Sequence, residues 1–250
     1  MLILYFSGTG NSRYIAERFG EKLGGVCHCI EEDLDFVALI NAHDQIAVCY
    51  PIYGSRVPRI MREFAVRHTD AFKGKQLIIF ATQLLFSGDG ARVFTDLFPK
   101  HHVQVIYSTH FLMPNNVCNF SFLWQTSPRR TKNMLAQAEK KLTQACDDLQ
   151  ADRVKLRGFS GFSRFLGNMQ GKAWPKIEAR AQRDLRCHAN CNTCGLCVQI
   201  CPMQNLEILH GKLTHHNNCT LCFRCINACP KQAITIMFHK TPIWQHKGIT

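Results

Sequence analysis

The sequence predicts an α/β protein: a doubly wound, parallel five-stranded sheet in the first two-thirds of the chain, then a small α+β cysteine-rich domain. Three observations carry that expectation. Short apolar runs alternate with segments of helical period. A small polar loop, Ser7-Gly8-Thr9-Gly10-Asn11-Ser12, separates the first run from the first helix. A cysteine run near the C-terminus is written twice. Strands that alternate with helices need crossover connections, so the sheet is parallel and covered on both faces.

The elements follow in order. Residues 2–6 (LILYF) form a strand buried on both faces. A helix spans 11–23, with Tyr14, Ile15, Ala16, Phe19 and Leu23 on its inner side and Gly24-Gly25 as the stop. Residues 26–30 make a short second strand and 36–40 a helical segment. QIAVCY at 45–50 is a third strand, broken by Pro51. A helix at 58–66 has Pro58 near its first turn. QLIIFA at 76–81 is the fourth strand, and a helix at 90–98 is ended by Pro99. Residues 103–108 form the fifth strand. A long helix at 128–149 carries Leu135, Ala138, Leu142 and Ala145 at helical spacing.

Residues 156–186 read as a basic connector that turns helical after Pro175. Phe159, Phe162, Phe165 and Trp174 are costly to expose, so this segment is expected to pack on the first domain. The domains are therefore 1–155, the connector 156–186, and 187–250. The stretch after His239 has no pattern and is expected to be loosely ordered.

The net charge of +12 is uneven. Residues 1–150 hold 16 Lys/Arg against 14 Asp/Glu, whereas residues 151–190 hold 9 against 3. A basic excess suits nucleic acid or anionic cofactors and acidic partners. No aromatic–basic motif of a nucleic-acid module is present, which argues against the first. No apolar stretch is long enough to span a bilayer, and the N-terminus lacks a basic leader, so a cytoplasmic location is expected.

Nine of the fourteen cysteines lie between Cys187 and Cys229. CNTCGLCVQICP begins at Cys191 and CTLCFRCINACP at Cys219. Both are C-x2-C-x2-C-x3-C-P. Zinc prefers two close pairs divided by a longer loop. Three cysteines two residues apart instead wrap three corners of a cubane, and the fourth serves the other cluster. Cluster one is expected on Cys191, Cys194, Cys197 and Cys229, and cluster two on Cys219, Cys222, Cys225 and Cys201. Two cross-linking clusters would also staple a small domain that has little core of its own. Cys187 reads as a bystander thiol.

The polar loop follows a strand and opens a helix, where backbone N–H groups face an anion. Arg13 stands where a dinucleotide fingerprint needs its third glycine, and no Gly-Lys-Ser/Thr is present. What remains is a hydroxyl-rich cradle of Ser7, Thr9 and Ser12, suited to the terminal monophosphate of FMN. An ordinary Ser/Gly turn is the bland alternative. Doubly wound sheets bind ligands past the strand C-termini. There the third strand ends in Tyr50-Pro51-Ile52-Tyr53-Gly54, where Tyr53 offers a stacking face or is an ordinary half-buried aromatic. The fourth ends in Thr82-Gln83, followed by Leu84-Leu85-Phe86-Ser87-Gly88-Asp89-Gly90.

On these motifs the chain resembles the flavodoxin–ferredoxin fusion proteins of anaerobic bacteria. The resemblance implies a flavodoxin-like sheet of order 2-1-3-4-5. It implies FMN phosphate on Ser7, Gly8, Thr9, Gly10, Asn11 and Ser12, and two [4Fe–4S] clusters on the eight cysteines. Pro51, Tyr53, Gly54, Thr82, Gln83, Ser87 and Gly88 are the further candidate flavin contacts. Two departures stand out: the first domain is near neutral where flavodoxins are acidic, and the fourth-strand loop offers a single acid, Asp89. The aromatic segment with Phe111, Phe120, Phe122 and Trp124 is a lid over the flavin, a dock for the cluster domain, or simple core.

Two functions are expected. The first is an electron carrier that links FMN and the clusters to an acidic or low-potential redox partner. The second is an FMN-dependent reductase of a small-molecule substrate fed by the clusters. A nucleic-acid binder with structural clusters ranks below both.

Overall fold

The computed structural model describes every residue except 121, 122, 124, 238, 239, 249 and 250. Two of the aromatic residues singled out above, Phe122 and Trp124, lie outside the described residues. The chain runs β1 (Leu2–Tyr5), α1 (Asn11–Leu23), β2 (Val26–Cys29), α2 (Phe36–Asn41), β3 (Gln45–Pro51), α3 (Arg59–Arg67), β4 (Gln76–Gln83), β5 (Gln104–Leu112), α4 (Pro128–Gln150) and β6 (Lys155–Leu156). It continues through α5 (Gly161–Gly171), α6 (Trp174–Ala181), β7 (Arg186–Cys187), α7 (Leu196–Gln199), β8 (Leu206–Leu209), β9 (Lys212–His215), α8 (Arg224–Ala228) and β10 (Ile234–Thr235).

β1 to β6 form one parallel sheet of order β2-β1-β3-β4-β5-β6. The expected order 2-1-3-4-5 is its body. The correction is a sixth strand: Lys155 and Leu156 pair with Tyr107 and Ser108, and the Ser108 hydroxyl donates to the Arg157 carbonyl. Two residues are too few to carry a period-two signal, so the sequence hides this strand. The strand also crosses residue 155, where the first domain was expected to end.

The pleat sends alternate side chains to opposite faces. Leu2, Leu4, Val48, Tyr50, Leu77 and Ile79 pack against α2 and α3 through Phe36, Ile40, Met61 and Phe64. Ile3, Ala47, Cys49, Ile78 and Phe80 meet α1 and α4 through Ile15, Phe19, Leu142 and Ala145. Phe19 and Phe80 meet edge to face, ring centroids 4.7 Å apart. Each such buried side chain contributes about 1.5–3 kcal/mol, which is why strand and helix patterning dominate this half. The helix expected at 90–98 is a 3-10 segment, Arg92–Leu97, that ends before Pro99.

The C-terminal part is built around a third core of Leu185, Leu206, Leu221, Phe223, Ile226, Ile234, Ile236 and Trp244. β8 and β9 form an antiparallel hairpin, and β10 pairs antiparallel with β7. Among its described residues the tail is held in place, against the expectation that it is loosely ordered. Trp244 is buried, and the Gln245 side-chain amide donates to the carbonyls of Ile226 and Cys229.

The connector packs on the sheet domain, but only in part as expected. Trp174 makes its contact as expected, and Gly167 and Gly171 add theirs, whereas Phe162 and Phe165 are exposed. Trp174 lies over the backbone of Gly54, and Arg62 pairs with the buried Glu178 of α6 at 2.6 Å.

Candidate functional site

The two cysteine runs fold as copies. Thr193 donates its N–H to the Cys191 sulfur at 3.4 Å, and Leu221 donates to Cys219 at 3.3 Å. Asn205 donates to Cys201 and Ala233 to Cys229, both at 3.3 Å. Thr193 and Leu221 share positive φ, 53° and 60°, as do Gly195 and Phe223, 77° and 59°. A left-handed Phe or Leu is strained, so both loops hold a curvature that ordinary turns avoid. The curvature turns backbone N–H groups onto sulfur, where they stabilise thiolate charge.

Each copy closes a cage. One cavity is lined by Cys219, Cys222, Cys225 and Cys201, with apolar walls from Leu206, Leu221, Ile226 and Ile236. The other is lined by Cys191, Cys194, Cys197 and Cys229. The fourth cysteine of each run thus stands in the cage of the other. Burial pushes the Cys219 thiol up to about 11 and the Cys222 thiol up to about 12. Bare thiolates are unfavourable there, and cations that bind sulfur would offset that cost. The Cys187 thiol, on β7, donates to the His188 carbonyl at 3.7 Å; burial and the neighbouring Cys191 push it up to about 12.

The polar loop lies at the C-terminal end of β1. Gly10 takes φ 101° at the N-cap of α1. The Ser7 hydroxyl accepts from the Gly10 N–H at 3.1 Å. Thr9 accepts from the Asn116 side chain at 2.9 Å. The hydroxyls of Ser12 and Thr82 share one bond of 2.7 Å. Each arrangement leaves a hydroxyl hydrogen free to donate, so the loop retains the donors an anion needs. Arg13, at the missing glycine position, points to solvent and pairs with Glu17.

A cavity of about 80 Å³ adjoins this loop, and the groove spans about 470 Å³ when space open to solvent is counted. Ser7, Gly8, Thr9, Asn11 and Ser12 line it from the loop, and Pro51, Tyr53, Thr82 and Gln83 from the strand ends. Gly10, Gly54, Ser87 and Gly88 do not. Ser87 turns inward to Gln83 and to Nδ1 of buried His110, at 2.5 and 3.2 Å. Gly88 abuts Gly167 of α5. Asn11 Oδ1 and the Tyr53 hydroxyl are buried without a hydrogen-bond partner. Two such atoms beside one cavity suit a polar ligand that satisfies them, so the loop and its surroundings fit a phosphate-bearing group.

The segment after β5 also contributes Pro114, Asn116 and Val117 to the lining. Of the aromatics singled out there, Phe111, at the end of β5, is fully buried against Phe80 as sheet core, whereas Phe120 packs against the third core and so meets the cysteine-rich part.

The loop and the second cage share a wall. A Cβ on Gly8 would lie 2.3 Å from the Cys222 carbonyl oxygen. Arg224, the residue before Cys225, donates to the carbonyls of Ser7 and Gly8 at 2.9 and 3.2 Å, and to both Glu31 carboxylate oxygens. Asn227 donates to the Asn116 carbonyl at 2.8 Å, and the Thr220 hydroxyl accepts from the Ile60 N–H. Tyr53 is pushed well above its ordinary pKa, first by burial and then by Cys222. Arg224 and Asn227 lie more than 200 residues from the loop in sequence, with no local motif to mark them.

Comparison with known proteins agrees with both halves. A family model described as a flavodoxin domain matches residues 2–115. One described as a 4Fe-4S binding domain matches residues 191–205 and 219–233. No curated protein matches the chain. Among solved structures, a flavoprotein from Bacteroides eggerthii is 24% identical over 44% of this chain and 86% of its own, with a TM-score of 0.36. Megasphaera elsdenii flavodoxin is 20% identical over 56% of this chain and 99% of its own, at 0.39. Flavodoxin 2 from Bacillus cereus is 16% identical over 56% and 97%, at 0.38. A flavodoxin domain over residues 2–115 and a 4Fe-4S ferredoxin-type domain over residues 191–233 in one chain are consistent with a flavodoxin–ferredoxin fusion.

Proposed function

We propose that the chain is a cytoplasmic electron-transfer protein that passes electrons between FMN, two [4Fe–4S] clusters and an acidic or low-potential redox partner. The observation that carries this reading is the shared wall: Gly8 of the phosphate loop abuts the carbonyl of Cys222 in the second cysteine cage. Flavin accepts two electrons in single steps and clusters pass one at a time, so together they join two-electron to one-electron chemistry.

In this reading Ser7, Thr9 and Ser12, with the backbone at the start of α1, hold the FMN phosphate. Asn11 and Tyr53 lose their unpaired state against the cofactor, and Pro51, Thr82 and Gln83 border the ring. The eight cysteines hold the clusters in the crossed sets Cys191, Cys194, Cys197, Cys229 and Cys219, Cys222, Cys225, Cys201. Arg224 keeps the second cage against the loop, so the two sites stay in one orientation while electrons move. Covalent linkage on one chain raises their effective concentration. Exposure orders the relay: Cys194 of the first cage is exposed and Cys222 of the second is buried. The first cluster faces the partner and the second faces the flavin.

The test is anaerobic purification with iron, acid-labile sulfide and flavin assays. About eight iron, eight sulfide and one FMN per chain are expected. A preparation that neither retains nor takes up flavin would sink the reading. Reoxidation of the flavin by a small molecule at a catalytic rate would replace it with the reductase reading.

A further inference from the structure

We propose that α5 and the loop after β4 form a docking face for an anionic lipid bilayer, which seats the protein on a membrane surface. The helix is inside out. Its buried residues are Gly167 and Gly171, four apart on one side. A Cβ on Gly167 would collide with Asp89, and one on Gly171 with the Arg56 guanidinium. The opposite side carries Phe162, Phe165 and Met169, spaced i, i+3 and i+7 on one stripe. These are 72%, 65% and 63% exposed. A helix that packs through glycine presents its apolar stripe outward because close approach leaves no room for it inside.

The stripe continues on the neighbouring loop. Gly88 meets the Gly167 amide and the Ser163 carbonyl, and Leu85 and Phe86, three and two residues before it, are also exposed, 65% and 48%. Five large apolar side chains thus share one region, beyond the scattered single exposures normal for a surface.

Charge identifies the occupant. No Asp or Glu occurs from Arg153 to Ile177. Arg157, Arg164, Lys172 and Lys176 are exposed and, among the described residues, form no ion pair. An apolar aromatic stripe flanked by unpaired cations matches the headgroup–acyl boundary of an anionic bilayer, where rings enter and cations stay with phosphate. A second copy of this chain would bring like charges together. No described helix is long and apolar enough to cross a membrane, so this attachment is at the surface. The inference does not depend on what the cofactor sites hold.

The test is sedimentation of the purified full-length protein with vesicles of phosphatidylcholine alone or with about 30 mol% phosphatidylglycerol. Binding at low salt is expected only with phosphatidylglycerol, and ~0.5 M salt should weaken it strongly. The double variant Phe162→Ser/Phe165→Ser should lose ~10-fold or more in partitioning, and Arg164→Glu/Lys172→Glu a similar factor. Both alter exposed side chains, and unchanged far-UV circular dichroism and iron content would establish that they fold. Equal binding by wild type and the Phe double variant would overturn the proposal, as would no binding to phosphatidylglycerol vesicles. A concentration-dependent dimer that the Phe double variant abolishes would also overturn it, because a second copy would then cover the face.

Discussion

Gly8→Ala tests whether the phosphate loop and the second cysteine cage are one unit. Gly8 is not in the left-handed region, so its backbone conformation is open to alanine. The space is not. The new methyl would stand 2.3 Å from the Cys222 carbonyl oxygen, 3.1 Å from its carbon and 3.3 Å from its Cα. Ordinary contact begins near ~3.5 Å, so the two backbones must separate by about 1 Å. Overpacking of this kind costs about 1–3 kcal/mol. The same shift stretches the bonds from Arg224 to Ser7 and Gly8, so a total near 2–4 kcal/mol is expected. At about 2–4 °C per kcal/mol for a chain of this size, calorimetry should place the main transition roughly 4–16 °C lower. Gly161→Ala is the control: nothing lies within 4 Å of its added Cβ, its φ is not positive, and it opens a helix. It should be neutral or slightly stabilising. If Gly8→Ala melts with the control, the loop and the cage are not packed together and the coupling argument fails.

Two further perturbations follow from named contacts. Arg224→Ala leaves the carbonyls of Ser7, Gly8 and Ile200 without their donor and frees Glu31; FMN affinity by fluorescence titration should fall about 10- to 100-fold, from roughly 1.5–3 kcal/mol for lost charged hydrogen bonds, and an unchanged affinity would refute a role for this arginine at the loop. Burial, then Arg157 and Lys141, lowers the His110 pKa to about 3. Its folded value lies below the unfolded one near 6.5, so its stabilisation is complete above pH 6.5. It is lost between pH 6.5 and about 3, at up to about 1.4 kcal/mol per pH unit. Urea unfolding of His110→Gln should show a flatter acid limb than wild type, and parallel limbs would refute the assignment.

The parts of the fold that could be read in the sequence are those with local periodicity. Five strands, α1, α3 and α4 repeat apolar residues at the spacing of their own geometry, and each cysteine run marks three of its cage's four cysteines by short-range spacing, the fourth coming from the other run. What was hidden depends on distant partners. β6 is two residues of a polar segment made into a strand by Ser108 and Arg157. α5 misled for a physical reason: its phenylalanines were assigned to the interior by hydrophobicity, but its glycines allow a closer approach and put the aromatics outside. Ser87, a candidate flavin contact by its position after β4, lies against a buried histidine of β5 that no local motif marks. Arg224 and Asn227 were missed because their role arises only when the two halves meet.

The two cysteine runs are alike in sequence and unlike in surroundings, which makes their lability a discriminating test. In the first run Cys194 is exposed, and Asn192 and Thr193 beside it are exposed too. In the second, Cys222 is buried, Thr220 and Leu221 are buried beside it, and the phosphate loop lies against its carbonyl. In the proposed assignment each cluster has four cysteine ligands, so solvent access, and not ligand identity, sets how readily each is attacked. Anaerobic protein treated with a mild oxidant and an iron chelator should therefore release iron in two phases of about half each, the first from the Cys191 side. Cys194→Ser should abolish the fast phase and leave the slow one. Cys222→Ser should do the reverse and also weaken FMN retention, because the loop then packs against a loosened cage. A single phase of iron release, or flavin affinity that ignores Cys222, would mean that the asymmetry seen in the packing does not reach the cofactors.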